Sequence, residues 1–133
     1  MSTIYVYVLD TLADWELGHV TSELNSGRFF KQGAQRVSLK TVSYSKEPII
    51  TMGGLTILPN CSIDDMAVDE SSMLLLPGAD TWNDPKHAPV IQKAGEFLSL
   101  GAAVCAICGA TAALASVCLL YTSPSPRDRT RSR

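Results

Sequence analysis

The sequence predicts an α/β fold: one domain with a mostly parallel sheet and helices on both faces. Three observations carry this expectation. Ser72-Met-Leu-Leu-Leu-Pro77 and Ala103–Ile107 are short, continuous apolar runs, the pattern of strands buried on both faces. Such runs alternate along the chain with segments of helical pattern, the order that builds parallel sheets. The second run passes straight into an alanine-rich stretch from Gly109, a strand-to-helix joint with Cys108 on the corner. At 133 residues the chain holds one sizeable core and not two.

The first element is Ile4–Leu9, β-branched and aromatic and therefore a strand. Asp10 and Thr11 end it, and Asp14 is placed to cap the helix that follows. Trp15, Leu17, Val20, Leu24 and Phe29 give that helix an apolar side, which closes near Gly27. Val37–Tyr44 is a second strand with mixed faces. Pro48–Met52, Gly53-Gly54 and Leu55–Pro59 read as a β-hairpin whose paired glycines supply the positive φ of a two-residue turn. Asn60–Asp69 is polar and acidic, with a short helix expected from Ser62. The strand ending at Leu76 is stopped by Pro77-Gly78, and a loop with Trp82, Asp84 and Pro85 leads to a helix over Pro89–Leu100, ended by Gly101. In sheets of this kind ligands bind beyond the carboxyl ends of the strands. Three such ends carry the candidates: Asp10–Glu16, Gly78–Trp82 and Cys108.

Hydrophobic residues make up 46% and charged residues 18%, which describes a globular chain rather than a disordered one. No apolar run approaches bilayer length, and no basic segment with an apolar core opens the chain, so neither a membrane span nor a secretory signal is expected. Four cysteines (Cys61, Cys105, Cys108, Cys118) without disulfide-like spacing point to a reducing, cytoplasmic location. The formal charge of −2 is uneven. Without residues 124–133 the chain has 7 basic against 12 acidic side chains, a net −5 that offers nucleic acid no basic face.

Cys108 is the focus of the chemistry. A residue at a tight strand-to-helix turn is pushed up out of the sheet toward the first amides of the helix, the logic of a nucleophile elbow. Small neighbours Ala106, Gly109 and Ala110 allow so sharp a turn, and the helix N-terminus is expected to favour thiolate over thiol. The other constellations are weaker. Cys105-Ala-Ile-Cys108 has redox-pair spacing, but Cys105 is expected inside the strand with its side chain buried. Glu16 and His19 share a helix face yet lack further metal ligands. His87 lies in a loop beside the expected site, either as a substrate contact or as a solvated histidine. Trp15 and Trp82 either line a pocket mouth or pack in the core or an interface. Phosphate-binding glycine loops are missing, and Asp10 lacks the second acid of a phospho-receiver. No metal and no cofactor is expected.

After Val117 the character changes. Ser-Pro-Ser-Pro cannot extend a helix, and the arginine-serine run has no face to bury. The expected division is a domain over 1–117, truncated at its C-terminus, and a non-native or disordered Arg/Ser/Pro tail over 118–133.

Ala106-Ile-Cys-Gly-Ala-Thr111 and Leu74-Leu-Leu-Pro-Gly-Ala79, with Asp14-Trp-Glu16 and Met52-Gly-Gly-Leu55, resemble the DJ/PfpI superfamily, the class I glutamine amidotransferase-like proteins. The resemblance runs from Ile4 to Val117. It implies a flavodoxin-like three-layer sandwich, incomplete here at the C-terminus and usually a homodimer in full-length relatives. It further implies Cys108 as nucleophile, Glu16 as the carboxyl group bonded to its sulfur, and the Ala79 and Gly109 amides as an oxyanion hole. Gly78, Trp82 and His87 are the weaker substrate-binding candidates. Two departures stand out: many members have glycine at the position of Ala79, and the family's histidine is absent. Gly109 occupies one of that histidine's positions and the tail replaces the other. The function implied is cysteine-dependent, hydrolase-like or amidotransferase-like chemistry on a small carbonyl or amide. The alternative is a non-catalytic stress-response or redox-sensing protein that uses the same cysteine.

Overall fold

The structure, a computed structural model, describes residues 2–121, with side chains as far as residue 115. In chain order the elements are β1 (Thr3–Tyr7), α1 (Asp14–Ser26), β2 (Ser38–Ser43), β3 (Ile49–Ile50), β4 (Thr56–Ile57), β5 (Cys61–Ser62), β6 (Met73–Leu76), α2 (Ala88–Ser99), β7 (Ala103–Ala106) and α3 (Gly109–Tyr121). Two 3₁₀ turns, Ile63–Asp65 and Pro85–His87, lie between them. The main sheet has the order β5-β2-β1-β6-β7 and every pairing in it is parallel, while β3 and β4 form a separate antiparallel ribbon.

β1 lies at the centre, with Ile4 opposite Leu39 on one side and Met73 on the other. Its alternation separates the two layers. Tyr5 meets Phe97 of α2 edge-on, whereas Val6 shares an apolar cavity with Leu17 of α1. Both faces of β1 and β6 are therefore covered, and Val6, Tyr7, Leu74 and Leu76 are buried. α2 carries the stronger stripe, with Val90, Ile91, Ala94 and Phe97 buried. The result is the flavodoxin-like α/β sandwich.

Several local expectations change. Ala13, not Asp14, occupies the cap position of α1; Asp14 begins the helix and its carboxylate turns to the Gly53 amide instead. The apolar side of α1 is narrow. Leu17 is buried and Val20 and Leu24 are partly so, but Trp15 is exposed, and Phe29 is exposed beyond the helix end. The hairpin turn is not a two-residue one. Thr51 to Leu55 connect the strands, the Thr51 hydroxyl accepts the Leu55 N–H at 3.0 Å, and only Gly54 has positive φ. The helix expected from Ser62 is a single 3₁₀ turn, which Ser62 and Asp65 close with a capping box. β5 carried no sequence signal, since its two residues pair only with Val42 and Ser43.

β7 differs from expectation at its outer face. Ala103 and Cys105 are exposed, so the strand is covered from one side only. Among the described residues β7 ends the sheet. The boundary expected after Val117 falls inside α3, and residues 122–133 of the expected tail lie outside the described residues. Among the described residues no helix is long and apolar enough to cross a membrane.

Candidate active site

The site begins with the way the chain leaves β1. Thr11 turns with φ 67°, donates its N–H to Ile50 O at 2.9 Å and accepts the Asp80 N–H on its hydroxyl at 2.9 Å. A β-branched residue in the left-handed region is strained, so these bonds matter. Thr81 Oγ1 donates to Asp10 O at 2.7 Å, and the Ala13 N–H to Gly78 O at 2.9 Å. The loops after β1 and β6 are thus stitched together, which carries the first turn of α1 to the end of β6.

Glu16 stands on that turn. Its Oε1 accepts the Gly78 N–H at 2.9 Å and its Oε2 accepts the Cys108 S–H at 2.9 Å. Gly78 has to be glycine here: a Cβ would lie 2.6 Å from Glu16 Oε1 and 3.0 Å from Cys108 Cβ. Cys108 itself sits between β7 and α3 with φ 51° and an exposed side chain. Strain of this kind costs about 1–3 kcal/mol and persists only where the surroundings impose it. The Ile107 N–H to Leu76 O and Thr111 N–H to Cys108 O bonds, at 3.0 and 2.9 Å, hold the corner from both sides.

Glu16, Gly78, Ala79, Cys108 and Gly109 line a cavity of about 260 Å³, together with Trp15 and Met52. Among the described residues neither the Ala79 nor the Gly109 amide is spent on a backbone hydrogen bond. The bond to Glu16 is the one side-chain hydrogen bond Cys108 makes among the described residues. Its effect opposes the expectation drawn from the helix N-terminus. The Glu16 hydrogen bond, then its negative charge, push the Cys108 thiol above its ordinary pKa of 9.0.

Cys108, Glu16, Gly78, Ala79 and Gly109 therefore meet at one point, whereas Trp82 and His87 do not join them in the cavity lining. Trp82 stands beside it, stacked on Tyr7 at 5.6 Å with its indole N–H on Pro77 O at 2.8 Å. His87 is fully buried, not a solvated loop residue, and it lies outside the lining of the Cys108 cavity. The Asp84 side chain caps the turn that folds it inward, by accepting the Lys86 N–H. The Tyr7 hydroxyl lies 2.7 Å from His87 Nδ1, and the Tyr7, Tyr44 and Trp82 rings surround the imidazole. Burial lowers its pKa. Cys105 is exposed, not buried, because nothing among the described residues covers that face of β7. Sequence reasoning missed Thr11 and Thr51 as supports of the site. A strained Thr11 leaves no local signal, since its partners Ile50 and Asp80 are far along the chain.

Comparison with known proteins shows the family and the fold. The DJ-1/PfpI family model matches residues 2–123. The uncharacterized protease YoaZ of Bacillus subtilis (strain 168) is 45% identical over 113 residues, 85% of this chain and 54% of its own. A thiJ/pfpI family protein from Bacillus anthracis has a TM-score of 0.83 at 43% identity, covering 86% of this chain and 55% of that one. A DJ-1 superfamily protein from Agrobacterium tumefaciens shares the fold, with a TM-score of 0.75 at 23% identity over 90% of this chain and 60% of that one. The chain spans about half the length of the two Bacillus relatives. From residue 2 to residue 123, through the strand ends that bring Glu16 to Cys108, the chain belongs to the DJ-1/PfpI family.

Proposed function

We propose that this chain carries out cysteine-dependent, hydrolase-like chemistry on a small carbonyl or amide substrate, with Cys108 as nucleophile. The observation that carries the reading is the 2.9 Å bond from Cys108 Sγ to Glu16 Oε2, on a strained corner beside two unspent amides. As Sγ bonds to the carbonyl carbon, the thiol proton passes to Glu16 Oε2 and the C=O electron pair moves to oxygen. The Ala79 and Gly109 N–H groups receive that oxyanion. With an ester or amide the carbon–leaving-group bond then breaks, Glu16 returns the proton to the departing alkoxide or amine, and water hydrolyses the thioester. The protease name of the Bacillus subtilis relative is in keeping with such acyl transfer. The same cysteine also serves the redox-sensing reading. The raised thiol pKa bears on both readings alike, because thiolate is the form that attacks a carbonyl and the form that is readily oxidised.

The test uses p-nitrophenyl acetate. The expected result is an acetyl adduct mapped to Cys108 and loss of nitrophenol release above background in Cys108→Ser. Acylation of Cys61 or Cys105 in its place overturns the assignment.

A further inference from the structure

We infer that the Cys108 cavity continues onto an apolar shelf selecting substrates that carry an uncharged or cationic apolar group, and disfavouring carboxylates. The inference rests on Cys108 as the reacting group and adds what the substrate must carry. Next to the Cys108 cavity lies a second, of about 540 Å³, lined by Trp15, Met52 and Leu55 with Asp14 and Gly53. Trp15 and Met52 line both, so the two spaces adjoin. Their apolar side chains are left in water: Trp15 is 68%, Leu55 63% and Met52 45% exposed.

The shelf is preformed. Asp14 Oδ1 accepts the Gly53 N–H at 2.8 Å, and the Met52 N–H donates to Leu12 O at 2.9 Å, which pins the hairpin tip to the start of α1. A Cβ on Gly53 would come within 3.0 Å of both Asp14 carboxylate oxygens, so the contact is close. An indole and a thioether on a fixed backbone make a flat, polarisable surface suited to an aryl or branched alkyl group. The charges around it have one sign. Asp14, Glu16 and Asp80 line the two cavities, and no lysine, arginine or histidine does so among the described residues. The Thr51 hydroxyl and the Gly53 amide keep Asp14 ionised by holding its carboxyl below the usual range. An anionic electrophile would have to approach three carboxylates.

The test compares three alkylating agents sharing one warhead: 2-chloroacetamide, N-benzyl-2-chloroacetamide and N-chloroacetylglycine. In each case the Cys108 thiolate forms the C–S bond as C–Cl breaks, chloride leaves, and the thiol proton ends on solvent. Rates at Cys108 are read by peptide mapping and divided by the rate with N-acetylcysteine amide. The benzyl compound is expected to lead 2-chloroacetamide by about tenfold, the scale of one well-seated apolar group. The glycine carboxylate is expected to be the slowest of the three. Trp15→Ala and Leu55→Asp should each shrink the benzyl-to-parent ratio toward unity; both residues are exposed, so neither change threatens the fold. Equal rates for the three agents at Cys108 would overturn the shelf while leaving the nucleophile assignment standing. If none of them labels Cys108, that assignment falls and the shelf falls with it.

Discussion

Cys108 and Glu16 are joined by a single S–H···O bond, and that bond, followed by the carboxylate's charge, raises the thiol's pKa. A nearby negative charge and an acceptor for the S–H both favour the neutral form. Glu16→Gln removes the charge, so the thiol pKa should fall. In the wild-type protein the pH profile of iodoacetamide alkylation is expected to keep rising beyond pH 9. In the variant its midpoint should move down, making alkylation at pH 8 faster while ester turnover is lost. Both rates are measurable on the same samples. A midpoint that stays put or climbs would remove Glu16 as the cause. The partnership itself could be read from the sequence, because both residues follow strand ends of one parallel sheet. The direction of the thiol shift could not, because it depends on which Glu16 oxygen faces the sulfur.

Among the elements, α2 does most to seat the strands beneath the site. Its stripe of Val90, Ile91, Ala94 and Phe97 is buried, and Phe97 meets Tyr5 edge-on with ring centroids 6.4 Å apart. Phe97 is fully buried, so Phe97→Ala should cost about 3–5 kcal/mol by removing packed surface and leaving a cavity. Urea denaturation of the two proteins measures it, and a loss under about 1 kcal/mol would show that α2 is anchored elsewhere. The helix was legible from its bounds, the Asp84-Pro85 loop before it and Gly101 after it, and the stripe was not. In α1 the expected apolar side is narrower: only Leu17 is buried in it, and Trp15 points to water above the proposed shelf.

At the scale of the whole molecule, His87 is expected to couple folding to pH. It is buried among Tyr7, Tyr44 and Trp82, with its Nδ1 2.7 Å from the Tyr7 hydroxyl. The neutral imidazole fits this setting, with Lys86, Asp84 and Asp10 the charged groups that act on it. Its folded pKa lies below the ordinary 6.5, so the unfolded chain takes up the proton first as pH falls. Stability is therefore expected to hold above pH 7 and to decline as pH drops below 6.5, by at most about 1.4 kcal/mol per pH unit for one proton. Denaturant midpoints between pH 7.5 and pH 5 test this, and His87→Gln should flatten the decline. A wild-type midpoint constant over that window would mean that His87 takes up its proton in the folded protein.

The alternation of strands and helices and the corner at Cys108 were determined by local pattern, and the meeting of Cys108 with Glu16 was implied by the family resemblance and by the shared sheet edge. Apolar runs, breakers and an alanine-rich helix specify each element, and a parallel sheet brings its strand ends to one edge whatever the loops do. The tertiary structure alone decided the rest. His87 is buried by rings 5, 43 and 80 positions away (Trp82, Tyr44 and Tyr7), and Thr11 is strained by bonds to Ile50 and Asp80. The hairpin tip is held by Asp14, and Cys105 is left bare on the outer face of β7. Burial, strain and pKa here depend mostly on residues that meet only after the chain has folded, such as Tyr7 and Tyr44 around His87 and Ile50 and Asp80 around Thr11.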